Sequence, residues 1–259
     1  MSLISIVTPV KEGGAEYLGE AYESLASQTL PPGWEWEWVV QEDGRSGFLS
    51  SVLPRDDRIS LGIGRQGGAA MARTMALGRV RGQLIRALDA DDLLPSGALR
   101  RAIVTLVENP HISWCVSACL DLMPDGSLRP GPYDPPPGPL EDGVMLAGYQ
   151  AARFPVVGTT MTAHTDLVNA LGGWAAVPAS EDVALLVLCE AVSQGWMLKE
   201  PGAIYRKHPR QSTAQPAHWD PDERAALEEV LMPRLDALRS LGWRWNPSPL
   251  TPHGEYWNG

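Results

Sequence analysis

The chain has 259 residues, with 21 Lys and Arg against 31 Asp and Glu and a formal net charge of -10. That length admits one or two domains with a sizeable core, and the acidity argues against general binding of nucleic acids or anionic membranes, which are polyanions themselves. A small anionic ligand held by a metal and a few local cations stays open. Leu3 to Val10 is an apolar, β-rich run closed by Pro9, fit for a buried strand. Tyr17 to Gln28 carries Leu18, Tyr22 and Leu25 at helical spacing and ends before Pro31-Pro32-Gly33. Trp36 to Gln41 and Arg58 to Ile63 read as the next strands, with Trp34, Trp36 and Trp38 alternating on one face. Ala69 to Val80 is a helix, and Gln83 to Leu88 is a strand running into Asp89-Ala90-Asp91-Asp92. Ser96 is expected to cap a helix reaching Val107, and Ile112 to Leu122 is again strand-like.

From Arg129 to Gly143 six prolines predict an extended surface loop. Thr159 to His164 reads as a strand, Asp166 to Leu171 as a short helix, and Ser180 as the N-cap of a helix from Glu181 to Gln194. Met197 to His208 predicts a last strand or two, and Asp222 to Leu241 a helix kinked at Pro233. Strands alternating with helices imply a mainly parallel, Rossmann-like sheet. Cys115, Cys119 and Cys189 read as small buried hydrophobes in a reducing compartment, since Cys115 and Cys119 would lie about 13 Å apart along a strand. The chain enters Leu3 to Val7 without a basic leader, and its apolar run Val183 to Cys189 is too short to span a bilayer. A cytoplasmic protein with no membrane span is the expectation.

The Asp89–Asp92 turn is the sharpest chemical feature. Carboxylates at the end of a buried parallel strand emerge where open α/β sheets bind ligands. Clustered carboxylates repel unless a cation or proton intervenes, and hard oxygen ligands select Mg²⁺ or Mn²⁺. A solvated acidic turn is the competing reading.

Five segments in order resemble the family 2 glycosyltransferases, which have the GT-A fold. Ile4 to Val10 looks like their first strand, and Glu20-Ala21, Ser24-Leu25 and Gln28-Thr29 match their first helix. Trp38 to Gly44 is similar to the second strand with its Asp-Gly ending, and Gly67 to Arg73 to their Gly-x-x-x-Ala-Arg segment. Leu88 to Asp92, with Leu94-Pro95 and Gly97-Ala98-Leu99, matches the metal-binding motif. The sequence departs at Lys11-Glu12-Gly13-Gly14, where an aromatic-Asn pair is usual, at Arg45 between Gly44 and Ser46, and at Thr74, where Asn often follows the Arg.

The resemblance implies a single GT-A domain with a mixed, mainly parallel sheet and a C-terminal helical extension. Residues 1–122 would form the nucleotide-sugar half, 123–208 the acceptor half, and 209–259 a mobile loop, helix and tail. It implies a donor site at Thr8, Pro9, Val10, Glu12, Asp43, Arg73, Asp89 and Ala90, with Asp43 accepting from the base. Asp91 and His208 would bind Mn²⁺ or Mg²⁺, Asp92 being a weaker candidate; Arg206, Lys207 and Arg210 would offset diphosphate charge. Asp182 would be the general base, ionised at neutral pH in its first helical turn, with Glu181 and Trp174 meeting the acceptor. Trp219, Trp243, Trp245 and Trp257 are further sugar-stacking candidates; His111, His164, His218 and His253 show no metal spacing.

The implied activity is inverting, metal-dependent transfer of a sugar from a UDP- or dTDP-sugar to a hydroxyl or amine of a small soluble acceptor, by a chain that admits a homodimer. Two alternatives remain: a sugar-phosphate nucleotidyltransferase, faintly echoed by Lys11 to Gly14, and a non-catalytic nucleotide-binding domain.

Overall fold

The computed structural model describes residues 1–131, 133–216 and 220–250. Strand β1 (Ser2–Lys11) is followed by helix α1 (Leu18–Ala26), β2 (Trp34–Asp43), α2 (Leu49–Val52), β3 (Ile59–Ile63), α3 (Gly68–Leu77), β4 (Leu84–Ala87) and α4 (Ala98–Glu108). The second half holds β5 (Trp114–Leu122), β6 (Leu128–Pro130), β7 (Gly138–Pro139), α5 (Val144–Gln150), β8 (Thr162–His164), α6 (Thr165–Ala170), α7 (Glu181–Val192), β9 (Gly195–Arg206) and α8 (Pro221–Leu241).

These strands form one sheet in the order β3-β2-β1-β4-β8-β5-β9-β7, with β6 paired to β5. Neighbours among β3, β2, β1 and β4 are parallel, as are β5 and β9, and β8 runs antiparallel to both β4 and β5. Two reversals cancel, so the carboxyl ends of β1, β2, β4, β5 and β9 share one edge. Chain order reverses direction at β1, whose neighbours are β2 and β4, and such a switch point opens a ligand crevice at that edge. β1 pairs with β4 from Ile4 to Val7 and extends to Lys11 beyond that pairing.

Alternation along the strands loads both faces of the sheet. Ile4, Ile6, Trp36, Trp38 and Leu84 pack with Leu18, Leu25, Leu99 and Ile103 in one core layer. Val7, Val39, Ile85 and Ala87 face the other layer, built with Ala76, Leu167, Leu185, Leu188 and Leu231. Helices on both faces and strands buried on both sides are the arrangement that near-continuous apolar runs require.

Several boundaries depart from the sequence reading. Ser96 does not cap α4; Gly97, in the left-handed region at φ +74°, precedes it. Ser180 makes no side-chain cap bond before α7 and holds φ +61°, uncommon for a residue with a Cβ. That helix ends at Val192, and Gly195 opens β9 rather than closing a helix. The proline-rich stretch contributes β6 and β7, whose Pro130 and Pro139 sit in short outer strands where a missing N–H is tolerated. Residues 158–160 form a 3₁₀ turn rather than the start of a strand. Helices α2 and α5 had no clear periodic signal. The helix with Pro233 is one element of 21 residues, capped by the Asp220 side chain. All three cysteines are buried and free. Pro132, His218, Trp219, His253 and Trp257 lie outside the described residues.

Candidate functional site

The acidic turn is clamped between two strands. Leu88 N–H donates to Val7 C=O at 3.0 Å, and Leu93 and Ile204 exchange backbone hydrogen bonds at 3.0 and 2.9 Å. The DADD segment is therefore tied to β1 and β9 at the shared carboxyl edge. Asp92 points inward and is fully buried, its Oδ1 accepting the Arg206 N–H at 3.0 Å. Burial, reinforced by Asp89 and Asp91, pushes its carboxyl well above the usual range.

Asp91 instead faces β9. Its Oδ2 lies 2.7 Å from His208 Nε2, and its carbonyl accepts from Arg206 Nε at 2.9 Å. Among the described residues no three His, Cys, Asp or Glu side chains form a preformed metal cage. A carboxylate and an imidazole could still hold a divalent cation whose other positions are filled by ligand oxygens, the usual sharing between protein and phosphate. His208 is seated against the Tyr17 ring, with centroids 5.4 Å apart.

The cations expected near a diphosphate are each matched to an acid. Arg206 pairs with Glu20 at 2.7 Å and lies 4.2 Å over the Tyr17 ring. Lys207 pairs with Asp121 at 3.3 Å, and Arg210 with Glu16. This corner is charge-balanced rather than a free basic patch, with Arg206 at its centre.

Arg73 builds the other side of the site. It is 3% exposed on α3; one guanidinium nitrogen bonds Asp89 and another bonds Glu181, and Asp182 Oδ2 lies 3.6 Å from Arg73 Nη1. Burial alone would lower the Arg73 pKa, but the charges of Asp182, Asp89 and Glu181 outweigh it and raise it, so Arg73 stays a cation. Asp182 accepts the Trp174 indole N–H on Oδ1 at 2.7 Å. Desolvation raises its carboxyl to about 7, against the opposing pull of Arg73, with Glu181 and Asp89 adding to the rise. Desolvation thus opposes the ionisation expected of a dipole-stabilised Asp182 in the first turn of its helix.

Three expected contacts change meaning. Trp174 is 4% exposed, too buried to offer a stacking face, and its polar handle serves Asp182. Glu181 is also buried, its carboxylate occupied by Arg73 instead of open to an acceptor. Asp43 is taken up by the Gly67 and Gly68 N–H groups, at 2.7 and 3.1 Å, at the start of α3, rather than being free for a base. Thr8 is fully buried with its hydroxyl accepting from Trp38, leaving backbone as what it can offer; Val10 is buried and Pro9 half-buried. Ala90 packs beside the Ile4 core layer. Trp243 and Trp245 pack on the opposite layer.

Beside this constellation opens a cleft of about 480 Å³ lined by Glu12, Asp43, Gly44, Arg45, Arg65 and Gln66. Glu12 and Asp43 were expected there. Arg65 and Gln66 were missed, although they immediately precede Gly67-Gly68, the glycines that bond Asp43. Gly158 closes the site from the turn before β8, where a Cβ would overlap the Asp182 carboxyl group.

The chain resembles known proteins both in sequence and in fold. Residues 5–124 match the family model described as glycosyl transferase family 2. The chain is 28% identical over 117 residues to the O-antigen biosynthesis protein RfbC of Myxococcus xanthus, covering 43% of this chain and 9% of that one. It is 28% identical over 111 residues to a putative teichuronic acid biosynthesis glycosyltransferase, TuaG, of Bacillus subtilis, covering 41% and 42%. Only part of either curated relative's length is therefore spanned. A solved structure of S. aureus TarS residues 1–349 in complex with UDP-GlcNAc superposes with a TM-score of 0.70 at 16% identity, covering 90% of this chain and 66% of that one. A second TarS structure, in complex with UDP, gives a TM-score of 0.63 at 18% identity over 81% of this chain and 61% of that one. The likeness to family 2 glycosyltransferases thus runs from β1 through β5, over less than half of the chain, and the fold is GT-A.

Proposed function

We propose that this protein is an inverting glycosyltransferase that moves a sugar from a UDP- or dTDP-sugar to an acceptor hydroxyl or amine. The observation that carries the reading is the Arg73 bridge, which joins Asp89 at the end of β4 to Glu181 at the start of α7 and holds Asp182 3.6 Å away. A proton-accepting carboxyl thus stands beside the sheet edge where a nucleotide would lie. Both the family 2 match and the donor named in the TarS complex support a uridine nucleotide as the first ligand to test.

In this reading the cleft at Glu12, Asp43, Arg45 and Arg65 takes the nucleoside, with Thr8 to Val10 offering backbone groups. Asp182 removes the proton of the attacking acceptor as the new bond forms at the anomeric carbon. A Mn²⁺ or Mg²⁺ ion held by Asp91 and His208 would supply Lewis-acid neutralisation of the departing diphosphate. Arg206 keeps the Asp91 backbone in place through its carbonyl. A saccharide hydroxyl is the acceptor to test first, because the curated relatives are named for O-antigen and teichuronic acid biosynthesis. No described helix is long and apolar enough to cross a membrane.

The test is a thermal-shift panel of UDP, dTDP, GDP and ADP with and without Mn²⁺, followed by UDP release from UDP-sugars. Uridine nucleotides should stabilise most, by about 2.7 kcal/mol at 100 times Kd, and more with Mn²⁺ than after EDTA. Full donor turnover by both Asp91→Ala and Asp182→Ala would overturn the mechanism.

A further inference from the structure

We propose that Trp174 is a positioning residue for proton transfer, its indole N–H holding Asp182 Oδ1 so that Oδ2 is left to take the acceptor proton. The inference rests on the reading of Asp182 as the base. The step balances simply. The acceptor's O–H or N–H proton moves to Asp182 Oδ2, the freed electron pair forms the bond to the anomeric carbon, and the bond from that carbon to the diphosphate oxygen breaks.

The geometry begins with the placement of the indole. Gly172 and Gly173 take φ +82° and +72°, and a Cβ on Gly173 would overlap Leu77 on α3. The glycine pair therefore lets the main chain lie against α3, where the Thr74 hydroxyl donates to the Trp174 carbonyl at 3.0 Å. The ring is enclosed by the apolar layer that includes Ile85, Ala87, Met161, Val168 and Leu185, with a void of only about 10 Å³ between them. A buried indole N–H without a partner would bear its full desolvation cost, and the partner it has is Asp182.

The carboxyl is then asymmetric. Oδ1 accepts the 2.7 Å hydrogen bond, while Oδ2 lies 3.6 Å from Arg73, beyond hydrogen-bond distance. The Asp182 side chain keeps 23% of its surface open, which leaves a route for an acceptor. The charged groups acting on it are Arg73 from α3, Asp89 from the turn after β4 and Glu181 from its own helix. The facing turn adds backbone and Gly158, without a charge. Trp174 is therefore the neutral donor in this surround, able to orient the carboxyl without neutralising it.

The experiment reads the titration of the Asp182 carboxyl carbon by NMR in the full chain labelled with ¹³C-aspartate, the resonance being identified by its loss in Asp182→Asn. Trp174→Phe keeps a buried ring and removes the donor. Its Asp182 midpoint should rise by about one pH unit, the size of one hydrogen bond to a charged group. Thr74→Val loosens the same indole by a milder route and should move the midpoint upward by less, which keeps the idea testable if Trp174→Phe does not fold. An unmoved midpoint in a folded Trp174→Phe, or in Thr74→Val where the first variant fails to fold, overturns the inference. Retained donor turnover in Asp182→Asn would instead overturn the base assignment on which it rests.

Discussion

Replacing Asp182 with Asn should stabilise the fold while removing the proposed base. A carboxyl whose native pKa is about 7, against an ordinary 3.8, binds a proton more tightly in the folded chain than in the unfolded one. Native stability therefore falls as pH rises from about 4 to 7, and the whole penalty is present above 7. At ~1.4 kcal/mol per pH unit the shift corresponds to roughly 4 kcal/mol. Asn keeps a carbonyl for the Trp174 N–H but turns its amide nitrogen toward Arg73, and solvent already reaches the partly open side chain. Both effects reduce the gain to about 1–3 kcal/mol at pH 8. Urea unfolding of parent and variant at pH 4, 6 and 8 measures it. The gap should be smallest at pH 4, widen to pH 7 and then level off. A variant less stable than its parent at pH 8, or a gap indifferent to pH, would refute desolvation as the dominant influence on Asp182.

Two further variants probe the same surround. Gly158→Ala puts a methyl into the Asp182 carboxyl, so donor turnover should fall about 100-fold, the scale of a 1 Å misplacement, while calorimetry finds UDP affinity within a factor of three of the parent. Arg73→Met strands the Asp89 and Glu181 carboxylates at a buried site and should cost about 3–5 kcal/mol of unfolding free energy at pH 7.5. Adding Asp89→Asn and Glu181→Gln to the variant should recover most of that loss in urea unfolding, and no recovery would point to packing rather than charge.

How much of this was readable from residue order depended on how local each determinant is. The alternating Trp34, Trp36 and Trp38, and the Asp89–Asp92 turn behind an apolar strand, state their strand faces and their sheet edge within a few residues. Arg73 and Glu181 are 108 positions apart, and nothing near either residue announces the pair. Trp174 and Asp182 are only eight positions apart, yet nothing in that interval says whether the indole N–H meets water, a sugar or a carboxylate. Asp43 misled for the opposite reason: its Asp-Gly ending invites a ligand, while the two N–H groups that occupy it come from a helix start 24 residues away. Ser180 resembles a helix cap by residue type, yet its left-handed backbone turns the hydroxyl out of that role.

The antiparallel strand β8 helps join the second half of the sheet to the first. The family 2 match stops at residue 124, just past the end of β5, and both curated relatives align over fewer than 120 residues. β8 fastens the remainder by a short register, Leu84 to His164 on one side and Trp114 to Ala163 on the other. With the longer β5–β9 pairing, these three residues set Gly158 and the start of α7 beside the shared carboxyl edge. A one-residue slip of β8 would turn each of its side chains to the opposite face and carry the turn at Gly158 out of register with Asp182.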